Sequence, residues 1–285
     1  MLGALIIVFR EVIEAGLIVG VVLAVTKGVS GSRVAIALGV AVGVIGAALV
    51  AAFAGAIASA LEGVGQEVFN ASILLVAVAM LIWHNVWMAS HGRQLAADVK
   101  QIGQDVRVGS RSIAALGIVC AIAVMREGSE IALFMYGLAA SAGSTQIDLM
   151  IGSALGLAAG VGVTALTYYG LIAIPTRRLF AVTTVLISLL AAGLASQAVA
   201  FLQQAGIVTA LSQTAWDSSA YLSEGSLFGR VLHTLVGYSD QPSVLQVAAY
   251  VATLAIIVVL TRLFAHGGKT TVTDSETTGG LADPG

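Results

Sequence analysis

Two short stretches carry the residues able to do chemistry, Arg10-Glu11-Val12-Ile13-Glu14 and Arg126-Glu127-Gly128-Ser129-Glu130. Each is an Arg-Glu-x-x-Glu unit inside a long run of Val, Ile, Leu, Ala and Gly. On a helix, positions i and i+3 share a face, with side chains about 5–6 Å apart. Each unit therefore aims two carboxylates, Glu11 with Glu14 and Glu127 with Glu130, at one spot. Arg10 and Arg126 stand four residues before the second glutamate, the spacing of an i,i+4 ion pair. Four carboxylates against two guanidiniums leave a formal charge of −2, and such a site attracts a cation. Oxygen ligands suit hard ions: Mg²⁺, Ca²⁺, Mn²⁺ and iron, Fe³⁺ especially. The motifs contain neither cysteine nor paired histidine, which speaks against zinc or copper. Spacing alone names no metal. A glutamate proton relay and a simple Arg–Glu lock between two helices stay open as alternatives.

The elements around these units are those of a membrane. Hydrophobic residues make up 58% of the 285, charged residues only 10%, and mean hydropathy is +0.99. Soluble domains carry about 25% charged residues, so the composition implies an all-α, polytopic membrane protein. On an insertion scale each charge at a helix centre costs about 2.5–3.5 kcal/mol, hence roughly 15–20 kcal/mol for six uncompensated ones. Charge placed there points to function. The single cysteine, Cys120, rules out a disulfide framework and a thiolate cluster. No basic run suggests nucleic acid. The start, Met1-Leu2-Gly3, lacks a positive n-region, so a first membrane helix is expected and a cleaved signal peptide is not.

Seven segments are long enough to span, about 20 apolar residues each: Leu2–Val25, Val34–Ala60, Ala71–His91, Ile113–Ala140, Leu149–Ile174, Leu179–Gln203 and Val244–Phe264. Alternate loops hold ten basic residues (Lys27, Arg33, Arg93, Lys100, Arg107, Arg111, Arg177, Arg178, Arg262 and Lys269) against Arg230 alone on the other side. The positive-inside rule then puts the N-terminus outside and the C-terminus inside. Pro175 ends the fifth segment. Gln94–Arg111 extends the third as a cytoplasmic helix.

An internal repeat supports this plan. Arg10 and Arg126 are 116 residues apart, and Ala37–Val44 matches Ala154–Val161 at six of eight positions one residue later. Three spans per repeat force the halves into opposite orientations, with a site near the midplane. The expected organisation is a three-helix repeat over 1–92, a cytoplasmic linker over 93–112, a second repeat over 113–204, an extracytoplasmic loop over 205–243, a seventh membrane helix over 244–266 and a disordered tail over 267–285. Gly39 with Gly43, and Gly156 with Gly160, mark close helix contacts. Should a helix break near the site, Gly16 or Gly128 must permit it.

The pair of Arg-Glu-x-x-Glu motifs on the first and fourth spans resembles the signature of the high-affinity iron permease family, the oxidase-dependent iron transporters. The sixth loop resembles the bacterial ferrous-iron branch through Trp216-Asp217-Ser218-Ser219, Glu224-Gly225-Ser226, Leu232-His233, Gly237-Tyr238-Ser239-Asp240, Pro242-Ser243 and Gln246. The resemblance spans nearly the whole chain apart from the tail. The motif interiors, Val12-Ile13 and Gly128-Ser129, depart from the family's common Gly-Leu pair without changing the ligand types.

The resemblance implies iron import across the cytoplasmic membrane by a multi-pass permease that is not an enzyme. Glu11, Glu14, Glu127 and Glu130 would be the metal ligands and iron, Fe²⁺ or Fe³⁺, the transported substrate, with no permanently bound cofactor. It also implies an oxidase or peroxidase and an iron-binding protein as extracytoplasmic partners. From the i,i+4 spacing, Arg10 and Arg126 would pair with glutamates in the empty site and yield to the metal. Rival readings are a carrier of manganese, lead or protons, an intramembrane enzyme using glutamate as acid and base, or a structural membrane subunit. Glu62, Glu67, Asp217, Glu224 and Asp240 are candidate acids at the outer mouth. His84 is expected to line the bundle or bond to a neighbouring helix rather than bind metal; Gln197, Gln203 and Gln204 are candidates for the pathway.

Overall fold

The computed structural model describes residues 1–61, 65–141, 145–170 and 176–267. Glu62, Pro175 and the tail lie outside the described residues. Within them the chain forms eight helices: α1 Leu2–Val25, α2 Ser32–Leu61, α3 Gln66–Arg107, α4 Ala114–Ala140, α5 Gln146–Tyr168, α6 Thr176–Gln204, α7 Leu227–Val236 and α8 Val244–Gly267. The one β feature among these residues is an isolated bridge between Thr214 and Ser243.

Five helices are long and apolar enough to cross a bilayer, over Ser32–Ile57, Gln66–Met88, Gln146–Tyr168, Phe180–Gln204 and Val244–Phe264. α1 and α4, at 24 and 27 residues, match them in length but each carries three charges mid-helix. α3 continues without interruption to Arg107, so it covers the Gln94–Arg111 stretch expected as a helical extension except for its last four residues. At 42 residues and 1.5 Å per residue it runs about 60 Å, twice the hydrocarbon thickness.

α7 was not foreseen; it interrupts the long 205–243 loop. Its local signals are conventional ones. The Ser226 hydroxyl accepts from the Gly229 amide at 3.0 Å, capping the N-terminus. Gly237, at φ 70°, closes the C-terminus in the left-handed conformation. The loop around it is pinned by Tyr238, whose hydroxyl donates to the Leu222 carbonyl at 2.7 Å and meets the Ser218 hydroxyl at 2.6 Å. Trp216 and Tyr221 remain exposed.

Packing pairs α1 with α5, α2 with α4 and α3 with α6. Small residues let the first two pairs approach backbone to backbone. A Cβ on Gly39 would lie 2.2 Å from the Gly117 carbonyl oxygen, and one on Gly43 2.7 Å from that of Ala121. Across the other pair, a Cβ on Gly152 would lie 2.2 Å from the Met1 oxygen, and one on Gly156 2.6 Å from that of Leu5. Met1 and Leu5 precede Gly117 and Ala121 by the same 116 residues that separate the two arginines. By packing, then, Gly43 answers to Gly156, one helical turn away from the match of Gly39 with Gly156 seen in the sequence. A four-residue glycine spacing aligns with itself when slid by one turn, so similarity alone cannot set the register.

These contacts give a sharp expectation. Gly39→Ala places a methyl against backbone that cannot move aside, and is expected to cost about 1–3 kcal/mol. Gly20→Ala, in a helix interior with nothing within 4 Å, is expected to be neutral or stabilising by up to about 1 kcal/mol. Thermal unfolding of the two purified variants in detergent distinguishes them.

Candidate cation site

α1 and α4 run unbroken through their motifs, so Gly16 and Gly128 are both helical. The continuous helices bring the two charged units together, and α3 passes beside them. Arg10, Glu11, Glu14 and Glu127 are buried, with Arg10 and Glu11 at 1% and 0% exposure. The Arg10 Nε donates to Glu14 Oε1 at 2.8 Å, the ion pair expected from the spacing. Its Nη1 donates to Asn85 Oδ1, also at 2.8 Å, and the Asn85 amide donates on to Ser188 Oγ at 3.4 Å. On α4 the corresponding pair is looser: Arg126 Nε reaches Glu130 Oε1 at 3.2 Å and Glu127 Oε1 at 3.7 Å.

His84 sits between the motifs. Its Nε2 is 3.4 Å from Glu14 Oε2 and 3.7 Å from Glu11 Oε2, while Nδ1 contacts Glu130 Oε2. The expectation that it bonds to neighbouring helices is met, but it does so at the centre of the charged cluster. One donor atom from each of Glu11, His84, Glu127 and Glu130 lies within 4.8 Å of the others. Both oxygens of Glu11 and Oε2 of Glu127 are buried without a hydrogen bond, while Oε2 of Glu14 and of Glu130 face His84. Buried polar atoms are nearly always bonded, and unpaired buried charge is costly. A cation among these atoms supplies the missing partner, and a mixed carboxylate–imidazole set is one that holds first-row transition metals. Glu14 stands partly apart, since one of its oxygens is tied to Arg10.

Apolar layers close the cluster at both ends. One contains Ala4, Ile7, Leu81, Phe134, Leu138 and Leu190; the other contains Val22, Val99, Leu116 and Cys120. On α1, α3 and α4 alike the charged or polar residues fall between these two layers.

The other predicted residues lie elsewhere. Glu67 is exposed in the first turn of α3. Asp217 accepts from the Ser219 hydroxyl at 2.6 Å and its amide at 3.0 Å, which holds its carboxyl below the usual range. Asp240 accepts the Glu224 amide at 3.0 Å. Both are loop fasteners. Glu224 differs: with Asp148, Gln197 and His233 it lines a cavity of about 550 Å³ bounded by α1, α4, α6 and α7. Gln203 anchors the loop by accepting from Ser243 Oγ at 2.9 Å, and Gln204 is exposed.

Sequence reasoning did not single out Asn85, Trp87 or Ser188 as partners of the site. The available signal was a polar pair, His84-Asn85, in an otherwise apolar span.

Comparison with known proteins adds an independent line. The profile of the iron permease FTR1 family matches residues 1–273. The chain is 33% identical over 206 residues to the ferrous iron permease EfeU of Shigella flexneri, covering 72% of this chain and 87% of that one. It is 33% identical to EfeU of Escherichia coli O157:H7, covering 72% and 74%. It is 34% identical over 186 residues to EfeU of Escherichia coli O6:K15:H31, covering 65% and 67%. No solved structure matches.

Near the cavity, the His233 Nδ1 lies 3.0 Å from Glu224 Oε1 and 2.8 Å from the Tyr238 carbonyl. The bond to Glu224, ahead of the opposing effect of burial, raises the imidazole above its ordinary 6.5. A raised folded-state value stabilises fully below 6.5 and is lost as pH rises through the elevated value. Glu224→Gln is therefore expected to lower the melting temperature at pH 6 more than at pH 9, measured on the detergent-solubilised protein. An equal loss at both values contradicts the ion pair.

Proposed function

We propose, from the premise that the chain belongs to the iron permease FTR1 family, that it imports iron across the cytoplasmic membrane through the cluster between α1 and α4. The family is one of permeases, so the intramembrane-enzyme reading is set aside. The observation that carries the proposal is the convergence of ligand atoms from both motifs and His84 within 4.8 Å of one another, with both oxygens of Glu11 buried and unbonded.

The four motif glutamates and His84 form the ligand set, with Glu14 the outermost because Arg10 holds one of its oxygens. An imidazole among carboxylates favours iron over Mg²⁺ and Ca²⁺, which take oxygen alone. Manganese stays a chemically reasonable competitor. Arg10 and Arg126 offset part of the carboxylate charge in the absence of the ion.

Seven membrane helices, α1 to α6 and α8, fit this role, with α1 and α4 carrying the charge. Two inverted repeats, α1–α3 and α4–α6, are supported by the exchange of partners: α1 packs on α5 as α4 packs on α2, and α3 packs on α6. In this arrangement the site lies near the midplane, and the apolar layers on either side act as seals that must part in turn. The cavity beside Glu224 and His233 lies on the outer side and receives the ion, handed over by an extracytoplasmic oxidase or peroxidase with an iron-binding protein.

Uptake of radiolabelled iron into proteoliposomes tests the site. Glu11→Ala and Glu130→Ala are expected to abolish uptake while the protein still inserts in the membrane; undiminished uptake would overturn the assignment. His84→Ala is expected to lower uptake at limiting iron by at least about tenfold. Excess manganese should compete partially, and excess calcium or magnesium should not.

A further inference from the structure

The two motifs are alike in sequence, yet their arginines are held in different ways. Arg10 has a 2% exposed side chain and Arg126 a 32% exposed one. Arg10 is fixed through two of its nitrogens, to Glu14 and to Asn85, and Asn85 is itself tied to Ser188. A guanidinium leaving this position has no water to enter. Arg126 binds Glu130 and Glu127 through a single nitrogen, at 3.2 and 3.7 Å. Its guanidinium carbon lies over an aromatic side chain, 3.9 Å from the Trp87 ring centroid. Trp87 is in turn stacked on His91, with centroids 5.3 Å apart and planes 13° from parallel, and the Ser90 hydroxyl meets His91 Nδ1 at 2.8 Å. His84, Trp87 and His91 share one face of α3, so the face that offers a ligand also offers a resting place for the arginine beside it.

We propose that the arginines have separate roles: Arg10 is a fixed counter-charge, and Arg126 is the one displaced from Glu130 and Glu127 as the cation enters, with Trp87 the positioning residue that receives it. This deepens the cation-site reading above and rests on it. It replaces the symmetrical exchange expected from spacing with one that occurs on α4 alone. The aromatic face keeps a favourable contact for the guanidinium when its carboxylate partners turn to the ion. Without that face, the arginine competes harder for the same oxygens.

Iron uptake kinetics in proteoliposomes and thermal melting in detergent, on the full chain, test the assignment. Trp87→Leu is expected to raise the KM for iron on the order of 3–10-fold with the maximal rate little changed, and Trp87→Phe to fall between it and the parent. In an Arg126→Gln background, Trp87→Leu should change nothing further, because Trp87 acts through Arg126. Arg126→Gln alone should lower KM and leave the melting temperature unchanged, whereas Arg10→Gln should lower the melting temperature or the amount of folded protein. Equal thermal losses from the two arginine variants overturn the proposal, and so does a Trp87→Leu effect that persists without Arg126. Where Trp87→Leu does not fold, Trp87→Phe with and without Arg126 carries the same test. Undiminished uptake by Glu130→Ala would instead remove the cation site itself, whatever the arginines do.

Discussion

Charge withdrawn from water must meet an opposite charge, a hydrogen-bond donor or a metal ion, and this requirement organises the whole chain. Glu11 has no exposed surface and neither of its oxygens is hydrogen-bonded. Such a group is tolerable only where other groups are assembled around it. Arg10, His84 and Asn85 are those groups, drawn from two helices. The second motif contributes further carboxylates and one more guanidinium. The cluster therefore forces α1, α3 and α4 into mutual contact, and the rest of the bundle serves to hold them there.

Close packing is what makes the contact possible. α4 is pressed into place by α2 through glycines that leave no room for a methyl, and α1 by α5 through an equivalent set. Above and below, apolar layers flank the cluster, and burial strengthens the electrostatic interactions around Arg10 and Glu11. The layer containing Ile7, Phe134, Leu138 and Leu190 also separates the cluster from the cavity lined by Glu224 and His233. Iron permease family membership agrees with this architecture, since a permease needs a desolvated binding site closed on each side and reachable from each in turn.

The site is richer than its motifs. On the proposed reading, a histidine placed between four carboxylates moves the balance from hard oxygen-loving ions toward first-row transition metals, iron among them. Asn85 and Trp87, neighbours of that histidine on α3, give the arginines unequal surroundings. Two copies of one Arg-Glu-x-x-Glu pattern thus have unlike surroundings, because the third helix passing beside them offers an amide to one and an indole to the other.

Much of the fold was legible before any coordinates. Membrane helices are written locally, as runs of apolar side chains, and six of the seven expected segments start within a few residues of the observed helices, while α3 starts earlier and runs on through the stretch expected to extend it. The i+3 and i+4 spacings likewise settle which charges share a face, because the helix itself sets that geometry. Tertiary structure decided what depends on residues distant in sequence: His84 and Asn85 reaching Glu11, Glu14 and Arg10 from about 75 positions away, the four-residue register of the glycine contacts, and the bond from the Glu224 amide to Asp240. The sequence determined which helices carry the charge; only packing between helices determined what meets it there, because a buried charge is compensated through space and not along the chain.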